Sequence, residues 1–84
     1  MQKTATPGQP RTLMEAHETL VRIRPSRRAP LTVWLEYYQR SVVLYERIAK
    51  TDPSHDGEAL YWAQRERHRA EDIIAQIRGQ RPRG

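Results

Sequence analysis

The chain has 84 residues, a formal net charge of +5 and no cysteine. This length supports one small domain, and the absence of cysteine excludes a disulfide framework and a thiolate metal site. No apolar run approaches the roughly 20 residues that span a bilayer. The polar start, Met1 to Pro10, lacks the apolar stretch of a secretory signal. We therefore expect a cytoplasmic protein.

The basic charge is unevenly distributed along the sequence. Residues 11–30 and 78–84 each carry a net charge of +3, whereas residues 51–77 carry −3. A basic excess favours anionic partners, with nucleic acid first. However, 13 of the 15 basic residues are arginine, and a GC-rich genome produces the same bias whatever the function.

Proline, glycine and polar residues dominate both ends of the sequence. We expect residues 1–11 to form a disordered lead and residues 79–84 a disordered tail. Between them, residues 12–78 show helical periodicity and no strand pattern. The sequence thus predicts one all-α domain with three helices.

The first predicted helix begins at Thr12, because Thr12 and Glu15 have the spacing of a capping box. It ends at Arg24, since the proline that follows disfavours helical backbone there. One face is apolar and holds Leu13, Met14, Ala16, Leu20, Val21 and Ile23. His17 lies near the centre of this face. We expect a core histidine with one hydrogen-bond partner, with a pH switch as the alternative.

The second predicted helix runs from Pro30 or Thr32 to Lys50. Its apolar arc is wide, about 200° on a helical wheel, and has Ser41 in its middle. The arc holds Val33, Trp34, Leu35, Tyr37, Tyr38, Val42, Leu44, Tyr45, Ile48 and Ala49. One partner helix cannot cover such an arc, so the sequence predicts a three-helix assembly with this amphipathic helix at the centre.

A chain this short buries a limited core, and a second copy would complete it. We therefore expect a homodimer that self-associates through the surplus apolar arc of the central helix. The candidate contact residues are Val33, Leu35, Tyr38 and Val42.

The third predicted helix starts near Asp52 and stops at Gly79, with either Asp52 or Ser54 as its cap. Its apolar arc holds Ala59, Leu60, Trp62, Ala63, Ala70, Ile73, Ile74 and Ile77. Glu66 interrupts this arc. Two interpretations stay open: Glu66 pairs with His17, a tyrosine or an arginine, or it reaches water.

Several short segments are similar to a family of small, uncharacterised actinobacterial proteins. They are Ala16-His17-Glu18, Ile23-Arg24-Pro25, Val33-Trp34-Leu35 with Tyr37-Tyr38-Gln39-Arg40-Ser41, and Glu58-Ala59-Leu60-Tyr61-Trp62-Ala63. The similarity covers roughly residues 12–74. It implies an actinobacterial source and carries no catalytic or binding residue onto this chain.

Motifs for catalysis are not found in the sequence. The four glycines are isolated, so there is no phosphate-binding loop, and no serine has a nucleophile-elbow context. The polar segment 52–58 lacks the spacing of a calcium loop and fits a helix start better. We predict no enzyme, no cofactor and no metal site.

Two groups of residues are candidates for binding. Arg22, Arg24, Arg27 and Arg28 form a basic corner beside the second helix, which predicts an anion or nucleic-acid contact; a solvated loop is the alternative. Tyr61 lies on the polar face of the third helix near Arg65 and His68. An aromatic ringed by such side chains predicts a partner contact, although single surface tyrosines are common.

These observations predict a non-enzymatic protein–protein interaction module, and a regulatory role suits it. The alternative is a nucleic-acid-binding accessory protein that uses the basic loop and tail for weak, non-specific contacts. The third helix is acidic overall and carries no one-sided basic stripe, so the interaction module is the favoured function.

Overall fold

A computed structural model describes residues 9–79 and contains three helices. These are α1 (Leu13–Arg22), α2 (Leu31–Thr51) and α3 (Asp56–Gly79), with a 3₁₀ turn over Pro53–His55. Residues 9–79 include no strand, and none of the helices in this range is long and apolar enough to cross a membrane. The prediction of an all-α three-helix assembly is confirmed.

The start of α1 is the predicted capping box. The Thr12 hydroxyl accepts a hydrogen bond from the Glu15 amide at 3.2 Å. The Glu15 carboxylate accepts from the amides of Arg11 at 2.9 Å and Thr12 at 3.3 Å. These amide donors lower the pKa of Glu15 because they stabilise its charged form. The helix ends at Arg22, two residues before the predicted end, because Ile23 and Arg24 already form a turn.

The central position of α2 follows from contacts on both edges of its apolar arc. The Tyr37 hydroxyl donates to the Leu20 carbonyl of α1 at 3.0 Å. On the other edge, Glu46 forms a 2.6 Å salt bridge with Arg67 of α3. Ser41, in the middle of the arc, is fully buried. The sequence therefore correctly predicts a central helix covered from two sides.

The core combines large side chains of α2 with small ones of its neighbours. Its buried members are Leu13, Ala16, Leu20, Leu44, Tyr45, Ile48, Ala59 and Ala63. Alanines on α1 and α3 let their backbones approach the bulky residues of α2 closely. Burial of this apolar surface is the main force that holds the three helices together.

The predicted apolar faces of α1 and α3 are wider than the surfaces that pack. Met14, Val21 and Ile23 of α1 are exposed, as is Leu60 of α3. Because α1 touches its neighbours along the narrow stripe of Leu13, Ala16 and Leu20, the residues beside that stripe reach solvent. The prediction that all of them pack is therefore corrected.

The predicted self-association surface is divided by the fold. Val42 is buried within its own chain, while Leu35 and Tyr38 are half-buried. Val33 lies at the opposite edge of the arc, beside Ile23, and is 41% exposed. The four residues do not form one free surface, because α1 and α3 cover most of the arc that motivated the dimer prediction.

The corner between α2 and α3 also holds the start of α1. Asp52 Oδ2 accepts a hydrogen bond from the Leu13 amide at 2.9 Å, and Thr51 Oγ1 donates to the Arg11 carbonyl at 2.8 Å. Asp52 also pairs with His55 Nδ1 at 3.0 Å. Asp52 therefore caps α1 with its side chain, whereas the sequence suggests it as a cap for its own helix.

The predicted terminal segments lie largely outside the described residues. This holds for residues 1–8 of the lead and 80–84 of the tail. Pro10 is buried, so contacts with the fold begin before α1. Gly79 is the last residue of α3, one position further than the predicted helix end.

We expect Leu44→Ala to lower the free energy of unfolding by about 3 kcal/mol, because it leaves a cavity in the core. The matched control is Val43→Ala, since Val43 is adjacent in sequence and 58% exposed. It should change stability by less than about 0.5 kcal/mol. Trp62→Ala should also cost several kcal/mol, since Trp62 packs against the same core.

Urea unfolding of the variants measures these differences. Equal losses for Leu44→Ala and Val43→Ala would mean that α2 is rotated about its axis relative to the structure.

Candidate functional site

One face of α3 carries the predicted partner contact. Tyr61, Arg65 and His68 follow one another at spacings of four and three residues, and they line a shallow groove together with Gln64, Arg69 and Asp72. Such spacings place side chains on the same side of a helix. We call this set of six residues the α3 stripe. The structure thus brings together all three residues predicted for this contact.

Tyr61 is an exposed aromatic with a fixed neighbour. Its side chain is 59% exposed. Its ring meets the ring of Trp62 edge to face, with centroids 5.5 Å apart, and Trp62 packs against the core. This contact restricts the Tyr61 ring while leaving most of its surface open to a partner.

A second concave surface lies between the three helices. It is a partly open cleft of about 300 Å³. Its lining combines aromatic and charged side chains and consists of His17, Leu20, Val21, Arg24, Tyr37, Tyr38, Tyr45, Trp62, Arg65, Glu66 and Arg69. We call it the interhelical cleft. Arg65 and Arg69 belong to both the cleft and the α3 stripe, so the two surfaces adjoin.

The floor of the cleft is a group of three rings from three helices. His17 Nδ1 lies 2.7 Å from the Tyr45 hydroxyl, and the two side chains share one hydrogen bond. The His17 ring also meets Trp62 edge to face at 5.2 Å between centroids. Burial raises the pKa of Tyr45, so its hydroxyl stays protonated at neutral pH. His17 therefore has the single hydrogen-bond partner that the sequence predicts, but it is half-buried and lines the cleft instead of belonging to the core.

Glu66 is a half-buried carboxylate in the same cleft. Burial raises its pKa, and the positive charges of Arg69, Arg65 and Arg24 oppose that rise. Among residues 9–79, Glu66 forms neither a salt bridge nor a side-chain hydrogen bond. Glu66 therefore shares the cleft with His17 but pairs neither with it nor with a tyrosine or an arginine, and the half-buried carboxylate stays partly exposed to solvent, as in the second of the two interpretations.

The predicted basic corner is divided between different surfaces. Arg24 lies over the Trp34 ring, 5.5 Å from its centroid, and lines the interhelical cleft. Arg22 lines another groove beside Glu15 and Glu18. Arg27 and Arg28 are exposed in the loop before α2. The four arginines do not converge, because the chain turns between α1 and α2.

The cleft brings together three arginines that the sequence does not predict to meet: Arg24, Arg65 and Arg69. Arg24 follows α1, whereas Arg65 and Arg69 belong to α3. The spacing of Arg65 and Arg69 places them on one side of α3 with the arc-breaking Glu66 between them. That local signal is present in the sequence, but the approach of Arg24 depends on how α1 docks.

The polar segment 52–58, which the sequence predicts to be a helix start, lies at the corner between α2 and α3. Within the described range 9–79, no group of three or more histidine and acidic side chains is arranged to hold a metal ion. In this segment, Asp52 bonds to Leu13, Ser54 and His55 instead.

Comparison with known proteins found no matching family model, no matching curated protein and no matching solved structure. The similarity to small actinobacterial proteins therefore stays a prediction.

Glu66→Gln should raise the thermal midpoint at pH 7. A carboxyl whose folded pKa lies above its ordinary value of 4.5 stabilises the fold below that pH. This contribution is lost as the pH rises through the folded pKa. Glutamine resembles the neutral form, so its advantage should be present at pH 7 and shrink below about pH 4.5.

Thermal unfolding of the original protein and of Glu66→Gln from pH 3 to pH 8 tests this prediction. The matched control is Glu71→Gln, an exposed acid on the same helix. A variant that is less stable than the original at pH 7 would show that the three arginines hold Glu66 ionised.

Proposed function

We propose that the protein is a non-enzymatic protein–protein interaction module of the cytoplasm, with the α3 stripe as its contact surface. The observation that carries this proposal is Tyr61, an aromatic that is 59% exposed on a cationic helix face. Within residues 9–79, the Tyr61 ring contributes little to packing, because most of the ring lies outside the core. A regulatory role suits a small module of this kind.

The energetics of Tyr61 favour a contact role. Tyrosine, tryptophan and arginine carry much of the binding energy in protein interfaces, and burial of one such ring contributes about 2 kcal/mol. Tyrosine has few rotatable bonds and therefore loses little entropy when it is fixed. The edge contact with Trp62 already restricts the ring, which lowers this cost further.

The charge of the stripe indicates what kind of surface it meets. Arg65 and Arg69 contribute two positive charges to the stripe, and Asp72 contributes one negative charge. Complementary charge steers association and excludes partners of the wrong sign. We therefore infer a protein partner whose contact surface is acidic and has an apolar recess for the tyrosine ring.

Self-association of the chain would use a different surface from the α3 stripe. Three exposed apolar residues line the grooves between α1 and α2: Ile23, Val33 and Val43. Val33 belongs to the predicted self-association set, and Ile23 and Val43 add apolar surface beside it. Sedimentation at micromolar concentration would show whether particles exceed the 9.9 kDa of one chain.

Tyr61→Ala should weaken partner binding roughly thirtyfold, which corresponds to about 2 kcal/mol. It should leave the thermal midpoint nearly unchanged, because an exposed side chain contributes little to packing. Leu60→Ala is the matched control, since Leu60 is adjacent and 52% exposed but points about 100° away around the helix.

A photo-reactive phenylalanine analogue at each of the two positions identifies the partner in living cells. Titration with the purified partner then measures the affinities of the original protein, Tyr61→Ala and Leu60→Ala. The proposal predicts a crosslinked partner at position 61 and a loss of affinity in Tyr61→Ala alone. It fails if positions 60 and 61 yield the same crosslinks, or if Tyr61→Ala binds the purified partner normally.

Nucleic-acid binding is the second candidate, and one observation favours it. Arg27 and Arg28 are exposed in the loop before α2, and no acidic residue lies in that loop. Phosphate contacts by such side chains give weak binding with a steep salt dependence.

If the loop binds nucleic acid, replacing Arg27 and Arg28 with alanine should reduce the slope of log affinity against log salt by about two. Arg22→Ala, next to the acids of α1, is the control and should change the slope less. Titration of a fluorescent DNA duplex over a salt series measures these slopes. Tight, sequence-selective binding that survives the double change would contradict weak loop-based contact.

A further inference from the structure

We propose that the interhelical cleft is a binding site for a small organic acid, namely a carboxylate attached to an aromatic ring. It is a second site beside the partner contact proposed for Tyr61 on the α3 stripe, and Arg65 and Arg69 line both. The proposal rests on the size of the cleft, its aromatic lining and the three guanidinium groups that reach it.

The cleft is open where α1 meets large side chains. At the base of the fold, Ala16 packs near Ala59 and Ala63, and these three alanines are almost completely buried. The next residue of α1, His17, lies on another face of the helix and meets the rings of Tyr45 and Trp62. Rings of this size keep the helices apart, and a space of about 300 Å³ remains.

The size of this space limits the ligand. Drug-sized ligands occupy sites of roughly 300–1,000 Å³, so the cleft lies at the small end. It suits a single-ring acid and is too small for a nucleotide. The rings of Tyr45 and Trp62 are nearly parallel, with an interplanar angle of 25°. Tyr45 is buried and closes the floor of the cleft, while the half-buried rings of Trp62, Tyr37 and Tyr38 present the apolar surface against which a flat ring packs.

Three cations line the cleft from two separate elements. Arg24 approaches from the end of α1, and Arg65 and Arg69 approach from α3. Arg24 and Arg65 lie over the faces of Trp34 and Trp62 at 5.5 and 5.3 Å. This stacking orients the guanidinium groups before any ligand binds.

The three guanidinium groups have hydrogen-bond donors to spare. Within residues 9–79, Arg24, Arg65 and Arg69 form no salt bridge and no side-chain hydrogen bond with another residue. A guanidinium matches the two oxygens of a carboxylate geometrically. A carboxylate that enters the cleft therefore meets oriented donors, which need not first break a salt bridge or hydrogen bond with another residue of the chain.

Glu66 places a carboxylate of the protein itself in this cleft. It shows which charge the three arginines favour, and it also repels a second carboxylate at close range. A ligand acid therefore binds better when position 66 is neutral. Glu71→Gln changes the net charge equally at an exposed position of α3, so stronger binding in Glu66→Gln alone distinguishes the proposed site from a general attraction of anions to a basic protein.

The probe is phenylacetate, titrated into the ¹⁵N-labelled full chain at pH 7 and followed by the NMR signals of the Trp62 indole and its neighbours. Saturable shifts are expected for phenylacetate and much weaker ones for the neutral phenylacetamide. Arg65→Gln and Arg69→Gln should each weaken binding about tenfold, since each removes a charge-assisted hydrogen bond. Glu66→Gln should strengthen it several-fold.

The matched control is Arg67→Gln. Arg67 has the same charge and lies on the same helix, but it pairs with Glu46 on another side of α3. This variant should bind phenylacetate as the original protein does. A tripeptide with a carboxyl-terminal phenylalanine separates two sources of the same chemistry: tighter binding of the peptide identifies a chain terminus, and tighter binding of phenylacetate identifies a free acid.

Three results would overturn the proposal. The first is the lack of saturable binding by either probe in both the original protein and Glu66→Gln. The second is equal loss of affinity in Arg67→Gln and Arg65→Gln, which would show a response to net charge alone. The third is equal binding of phenylacetamide and phenylacetate. The amide spectrum of each variant shows whether it is folded.

Discussion

The hydrogen bond from the Leu13 amide to the Asp52 carboxylate joins residues 39 positions apart. It ties the start of α1 to the corner where α2 ends and α3 begins. The docking of α1, and with it the interhelical cleft, depends on this link, because α1 has ten residues and helices of that length are marginal in water by themselves. The capping box and the bond from Thr51 to Arg11 support the same junction.

Once α1 is anchored there, the size of its side chains determines how closely it packs against α2 and α3. Near the corner, alanines allow close packing and give a dry core. On an adjacent face of α1, the ring of His17 meets the larger rings of Tyr45 and Trp62 and lines the cleft. The same helix thus contributes to the core through Leu13, Ala16 and Leu20 and to the cleft through another face.

Arginines make both candidate surfaces positively charged. Arg65 and Arg69 lie between the α3 stripe and the interhelical cleft and line both. A partner bound to the stripe therefore comes close to any acid held in the cleft. This proximity offers a physical basis for regulation, since a ligand that engages Arg65 changes the charge that the partner meets.

The helices and the central position of α2 are predictable from sequence because they follow from local patterns. Periodicity marks the apolar faces, and the spacing of Thr12 and Glu15 marks a helix start. The stripe around Tyr61 is predictable for the same reason, since residues three and four apart share a helix face.

The rest depends on contacts between segments distant in sequence. A helical wheel shows which residues share a face but not how much of that face a neighbour covers, so it could not predict that Val21 and Leu60 are exposed. Local spacing makes Asp52 look like a cap for its own helix, whereas its side chain caps α1. The meeting of Arg24 with the arginines of α3 likewise requires the docked position of α1.

The most direct test of this account is whether α1 docks across both other helices in solution. Nuclear Overhauser effects from the ring protons of His17 measure this, because its ring centroid lies 5.2 Å from that of Trp62 and 5.5 Å from that of Tyr45. The account predicts cross-peaks from His17 to both rings. Cross-peaks between Tyr45 and Trp62 without any from His17 would contradict it, because α2 and α3 would then pair without α1 and there would be no interhelical cleft.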